Sequence, residues 1–113
     1  ILADNQKQPV SKDLVVAGAI LHDIGKIHAY NWSGCAIELT SDGKMLDHIP
    51  LGMMMLKPYT DKYLTSEVAQ QLLHILVSHH GIKDWGSPVE PKTQEALIVH
   101  LADLADARLN NNK

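Results

Sequence analysis

At 113 residues and a formal net charge of -3, the chain can bury one hydrophobic core but not two, and it lacks the overall basic footprint that phosphate-backbone binding leaves. Apolar residues make up 45% of it and Phe is absent, so the core must be built from Leu, Ile, Val, Ala and Met, and an all-α fold is predicted. The single cysteine, Cys35, excludes an internal disulfide and fits a reducing, cytoplasmic compartment, and no apolar run is long enough to span a bilayer.

Residues 1–10 are polar past their first positions and contain Pro9, which reads as the tail of an earlier helix followed by a loop. The chain opens on Ile1 rather than Met, so an upstream segment is expected. Ser11 suits an N-cap, with Asp13 in the first turn where it complements the helix dipole. From 14 to 21 every residue is apolar or glycine, the pattern of a central helix surrounded by others. That run delivers His22 and Asp23, then Ile24, Gly25 and Lys26, with Gly25 read as the stop. Imidazole nitrogen and carboxylate oxygen are ligands for divalent ions, and a carboxylate can bridge two of them. Such a pair asks for further His and Asp elsewhere.

Past His28, placed in a loop, Cys35-Ala36-Ile37-Glu38-Leu39-Thr40 and Lys44-Met45-Leu46 flank Asp42-Gly43. A short β-hairpin over about residues 35–47 is therefore expected. His48, Ile49 and Pro50 open a helix that carries Leu51, Met54 and Met55 and stops at Pro58. Thr65 or Ser66 caps the next one, whose stripe of Val68, Leu72, Ile75 and Leu76 runs into His79. His80 falls about 100° further round and Gly81 ends the helix, while His74 lies on the polar side. Gly86, Pro88 and Pro91 keep 82–92 irregular, and 93–110 forms a last helix that carries His100 and Asp103 before a frayed tail.

The candidate metal ligands are thus His22, Asp23, His48, His79, His80 and Asp103. Each alone has an ordinary explanation: His79 as a hydrogen-bonded core imidazole, Asp103 as an ion-pair partner of Arg108. Together they are harder to dismiss, because a buried carboxylate needs compensation and Lys26 can serve Asp23 but not also Asp103. Divalent cations account for both carboxylates and for the histidines. Lys26 either pairs with Asp23 or grips a phosphate oxygen as a point charge. His100, one turn before Asp103, could orient it, reach a phosphate or pack in the core. Trp32 and Trp85, placed in loops beside the site, either stack on a base, a contact worth about 1–3 kcal/mol, or cover the core.

His22-Asp23-Ile24-Gly25-Lys26, a His after a hairpin, the His79-His80 pair and Asp103 together resemble the HD superfamily of metal-dependent phosphohydrolases. More narrowly, Ser78-His79-His80-Gly81, Trp85-Gly86-Ser87-Pro88-Val89, Glu95-Ala96 and Asp103-Leu104-Ala105-Asp106-Ala107 are similar to the HD domain of YhaM-type 3′-to-5′ exoribonucleases. The resemblance covers nearly the whole chain and implies a single HD helical bundle over 1–113. It implies two divalent cations, Mn first and Fe, Zn, Ni or Mg as alternatives, and hydrolysis of RNA phosphodiester bonds by a metal-activated water. Asp23 would bridge, His22 and Asp103 would serve one cation, and His48, His79 and His80 the other. Asp23 and Lys26 would be catalytic, and Lys26, Trp85 and His100 would contact single-stranded RNA or a nucleotide phosphate.

HD proteins also use a first histidine on a preceding helix, which residues 1–21 do not supply. An upstream helix, and in this type an upstream OB-type nucleic-acid-binding domain, is therefore expected. Two other readings stand beside this one: an HD hydrolase of a nucleotide or cyclic dinucleotide, and a non-catalytic HD domain that senses a ligand or mediates assembly. Against the cyclic-dinucleotide class stands Gly81-Ile82-Lys83, where that class carries Gly-Tyr-Pro. An oligomer is compatible with all of them.

Overall fold

The computed structural model of the protein describes residues 9–34 and 36–111. Residues 1–8, read as helix tail and loop, Cys35, and the last two residues lie outside the described ones. The order is α1 (Lys12–Leu21), α2 (Lys26–Ala29), β1 (Tyr30–Ser33), β2 (Ala36–Leu39), α3 (Ser41–Leu46), α4 (His48–Tyr63), α5 (Ser66–Ser78), a 3-10 turn (Lys83–Trp85) and α6 (Gln94–Asn111). This is the helical domain expected, with one two-stranded antiparallel hairpin among the described residues. No helix among the described residues is long and apolar enough to cross a membrane.

The core forms where α1, α4, α5 and α6 meet, around Leu14, Leu56, Leu72, Ile75, Leu76 and Val99, with the α5 stripe at its centre. Each such side chain contributes about 1.5–3 kcal/mol on burial. Ser11 starts α1 as predicted, its Oγ accepting from the N–H of Leu14 while its own N–H donates to Glu95 on α6. Yet α1 is not surrounded: Leu14 and Gly18 are buried, but Val16 is 56% and Ile20 73% exposed. An apolar run says that a helix can be buried on every side. The packing uses only the face that meets α5 and α6.

The hairpin lies upstream of its expected place. Tyr30 pairs with Leu39 and Trp32 with Ile37, so it covers 30–39 and not 35–47. Ala36 to Leu39 is a strand as read, but its partner precedes it. Asp42-Gly43 sits inside α3 because Thr40 caps that helix, its Oγ accepting from the N–H of Gly43 at 2.9 Å and donating to the carbonyl of His28 at 2.7 Å. The capping hydroxyl prevails over the turn propensity of Asp-Gly. His28 itself lies in α2 rather than in a loop.

The helix α4 passes through Pro58 instead of stopping there. The carbonyl that Pro58 cannot bond belongs to Met54, which is 63% exposed, so water can serve it. His74 lies on the polar side as expected and is half-buried; its Nε2 accepts from the N–H of Lys92 at 2.9 Å and pins the irregular segment to α5.

Candidate metal centre

Three chain segments deliver the site: the turn after α1, the start of α4 and the end of α5, with α6 alongside. In the first, His22 is the C-cap of α1. Its Nδ1–H donates to the carbonyl of Ala19 at 2.7 Å, which leaves Nε2 as the atom that faces the site. That nitrogen lies 3.2 Å from Asp23 Oδ2 and 3.3 Å from Asp103 Oδ1. Asp23 turns its other oxygen the opposite way, 3.3 Å from His79 Nε2 and 3.8 Å from His48 Nε2. Lys26 Nζ stands 3.4 Å from Asp23 Oδ2, so the ion pair read from the sequence is present, with the lysine half exposed. Gly25 keeps this turn against α4. Its φ of -62° is ordinary, but a Cβ there would lie 1.7 Å from the carbonyl oxygen of His48.

His48 opens α4 behind Asp47, whose φ of 68° and ψ of 165° are unusual for a residue with a side chain. Asp47 Oδ1 accepts from both the N–H of His48, at 2.7 Å, and its Nδ1–H, at 2.9 Å. The His48 N–H against it holds the Asp47 carboxyl below the usual carboxylate range. His48 Nε2 is thereby turned inward, 3.3 Å from the Nε2 of His80.

The α5 stripe runs into His79, fully buried, whose Nδ1–H donates to the carbonyl of Leu76 at 2.7 Å. Gly81 closes the helix at φ 92°, as the sequence suggested. His100 packs into the space its missing Cβ leaves, and its Nδ1–H donates to the carbonyl of His79 at 2.8 Å. The N–H of His80 donates to the buried hydroxyl of Ser87 at 2.8 Å.

The buried atoms His22 Nε2, Asp23 Oδ1 and His79 Nε2 have no hydrogen-bond partner among the described residues. Lone pairs that converge in this way need a positive charge among them. Among the described residues two groups could hold a metal ion, His48 with His79 and His80, and His22 with His79 and Asp103, the donor atoms in each lying within 4.8 Å of one another. Donors about 2.1 Å from one ion stand about 3–3.4 Å apart, the spacing of the closest pairs here. The donor set therefore fits divalent cations.

The electrostatics agree with the geometry. Without a cation, the Asp23 carboxylate against Nε2 pushes the His22 imidazole up to about 9, although burial pulls it down. Burial by itself raises the Asp23 carboxyl, but His22 and His79 against it outweigh that and hold it far below the usual carboxylate range. Burial, helped by neighbouring His79 and His48, lowers His80 and keeps it a neutral donor.

The model of the HD domain family matches residues 1–108. The chain belongs to the HD domain family. Among its relatives are proteins named 3′-5′ exoribonuclease YhaM from Oceanobacillus iheyensis, 41% identical over 106 residues, and from Listeria monocytogenes, 40% identical over 103. A protein of the same name from Bacillus subtilis is 37% identical over 102 residues. Each match covers 89% of this chain and 32% of the relative, so the chain spans about a third of the length of these curated relatives. No solved structure gives a significant match.

In this HD domain the six predicted ligands come together at one place, and His79 belongs to both groups rather than to the second alone. Asp103 faces His22, not Arg108. A cavity of about 350 Å³ opens beside them, lined by Asp23, Lys26, His79, His80, Asp103, Trp85 and His100. Trp32 is not at its wall; it stands on β1, opposite Ile37. A larger cavity of about 420 Å³ between α4 and α5, around Met53 and Leu73, is lined by none of the candidate ligands. Sequence reasoning missed Asp47 and Ser87. An Asp immediately before His48-Ile49-Pro50 is a readable N-cap, but the hairpin expected over 35–47 takes in Asp47.

Proposed function

We propose that this HD domain is the catalytic part of a cytoplasmic, metal-dependent phosphodiesterase that removes nucleotides from the 3′ end of single-stranded RNA. The observation that carries the reading is the Asp23 carboxylate, whose two oxygens face two different histidine-containing groups. His22, Asp23 and Asp103 would hold one divalent cation, and His48 and His80 with Asp23 a second, with His79 within reach of either; Mn is the first choice and Fe, Zn, Ni or Mg are alternatives. When bound, such cations supply Lewis acidity, which acidifies water and offsets the charge of a phosphate. The relatives named exoribonucleases supply the substrate class.

The chain's own residues have separate tasks. The Ala19, Leu76 and Asp47 acceptors fix the tautomers of His22, His79 and His48, so each presents Nε2 inward before any ligand arrives. Lys26, half exposed at the rim, neutralises Asp23 in the free state and is placed to grip a non-bridging phosphate oxygen once substrate enters. Asp23 receives charge from both sides and keeps the groups in register. A histidine upstream would complete the first set, and an OB-type domain upstream would supply the RNA affinity that a net charge of -3 does not.

The test uses the full-length protein with Mn²⁺ and a 5′-labelled single-stranded RNA. A ladder shortening from the 3′ end, lost together with bound metal in Asp23→Ala and His79→Ala, is expected. Metal-free wild-type protein, or turnover of free nucleotides with RNA untouched, would overturn the reading.

A further inference from the structure

Within that proposed reaction, we infer that the cavity wall formed by Trp85 and His100 is a seat for one unpaired nucleobase, with Trp85 as the stacking platform. The cavity lining combines two kinds of side chain. Asp23, His79, His80 and Asp103 are the part suited to cations and phosphate. Trp85, His100, Leu104 and Ala107 supply the flat or apolar part of the lining, and Lys26 is its one lysine. The rings of Trp85 and His100 are 6.4 Å apart and inclined by only 33°, so they make one shallow aromatic surface. Trp85 is 51% exposed, which suits an open stacking face and not a lid over the core.

The platform is fixed before substrate arrives. The N–H of Trp85 donates to the carbonyl of Ile82 at 3.1 Å and that of Gly86 to Lys83 at 3.0 Å, while Ser87 closes the loop onto Ile82 at 3.2 Å. The same Ser87, 1% exposed, accepts from the backbone of His80. Trp85 is therefore tied through one hydroxyl to a candidate cation-binding residue, so base and phosphate positions share a frame and little ordering is left to binding. At about 350 Å³ the cavity is at the small end of ligand sites and suits one nucleotide. A base still paired to a second strand brings a partner for which it has no room. The site thus selects a single-stranded end by shape and stacking, without reading base identity.

The test compares wild type, Trp85→Ala and Trp85→Phe in the full-length protein with Mn²⁺, on RNA with an ordinary 3′ nucleotide and on the same RNA with an abasic 3′ nucleotide. Trp85→Ala is expected to raise KM about 5- to 100-fold on ordinary RNA, with Phe restoring most of it, and to leave the abasic RNA unaffected. An equal loss on both RNAs, or no change on either, overturns the seat. If wild type cleaves neither RNA, the exonuclease reading fails, and the seat is then judged by binding. In a Trp32→Phe background, AMP should quench the emission of Trp85 while ribose 5-phosphate should not; quenching by both or by neither overturns it.

Discussion

Asp47 is the one non-glycine residue with a positive φ among those described, and it stands immediately before His48. Its φ and ψ fall in a region nearly reserved for glycine, which costs on the order of 1–3 kcal/mol. What the strain secures is a carboxylate that both caps α4 and grips His48 Nδ1. In Asp47→Gly the strain and the grip disappear together. We expect the Tm of chelated protein to stay level or rise while metal affinity drops about 10- to 100-fold, followed by melting curves and competition with a chromogenic chelator. A fall in both would make Asp47 a structural residue only. The contrast between neighbours shows what was legible: His48 stood out as a histidine at a helix start, whereas a dihedral angle leaves no mark on composition.

At the scale of elements, the site depends on how closely α2 approaches α4. The sequence suggested that Gly25 was needed to stop a helix, but its backbone is helical and what it supplies is space. A Cβ there would strike three backbone atoms, the oxygen of His48 at 1.7 Å, its carbonyl carbon at 2.8 Å and the nitrogen of Gly52 at 2.6 Å, and none can swing aside as a side chain would. Gly25→Ala is expected to destabilise by at least about 2 kcal/mol and to weaken metal binding, because the turn that carries Asp23 must withdraw from His48. An unchanged thermal melt would refute that. The α5 stripe was legible because its period matches the core it faces. The hairpin was misplaced because a threonine at position 40 can end a strand and cap a helix at once, and only tertiary contact with the carbonyl of His28 decides between those uses. The exposed side of α1 was unreadable for a related reason, since periodicity reports which faces can be buried and not which find a partner.

For the whole molecule, the decisive balance is between protons and cations. The folded state holds a proton on His22 up to about pH 9, against an ordinary value of 6.5. A raised pKa stabilises the fold fully below pH 6.5, and that contribution is lost as pH rises through 9. Chelated protein should therefore lose Tm between pH 6.5 and 9. Adding Mn²⁺ should raise Tm more at the alkaline end, where no proton competes for Nε2. Melting curves across that range with and without Mn²⁺ check it, and a metal-induced gain that shrinks with pH would contradict it. Helical class and site composition were both legible at this scale, because residues forced to interrupt apolar helices with His and Asp leave few chemical options. The pairing of the clusters was not, since His79 reaches both only once α5 lies across α1.

The Asp23 carboxylate has one more consequence. Because its two oxygens serve opposite groups, neither group can change its occupant without altering the partner that the other relies on. By reciprocity, whatever factor the first ion imposes on the affinity for the second is returned unchanged in the other direction. If each cluster holds a cation, the two would form a single linked unit, and a change at an outlying histidine such as His80 would be felt at the group around Asp103.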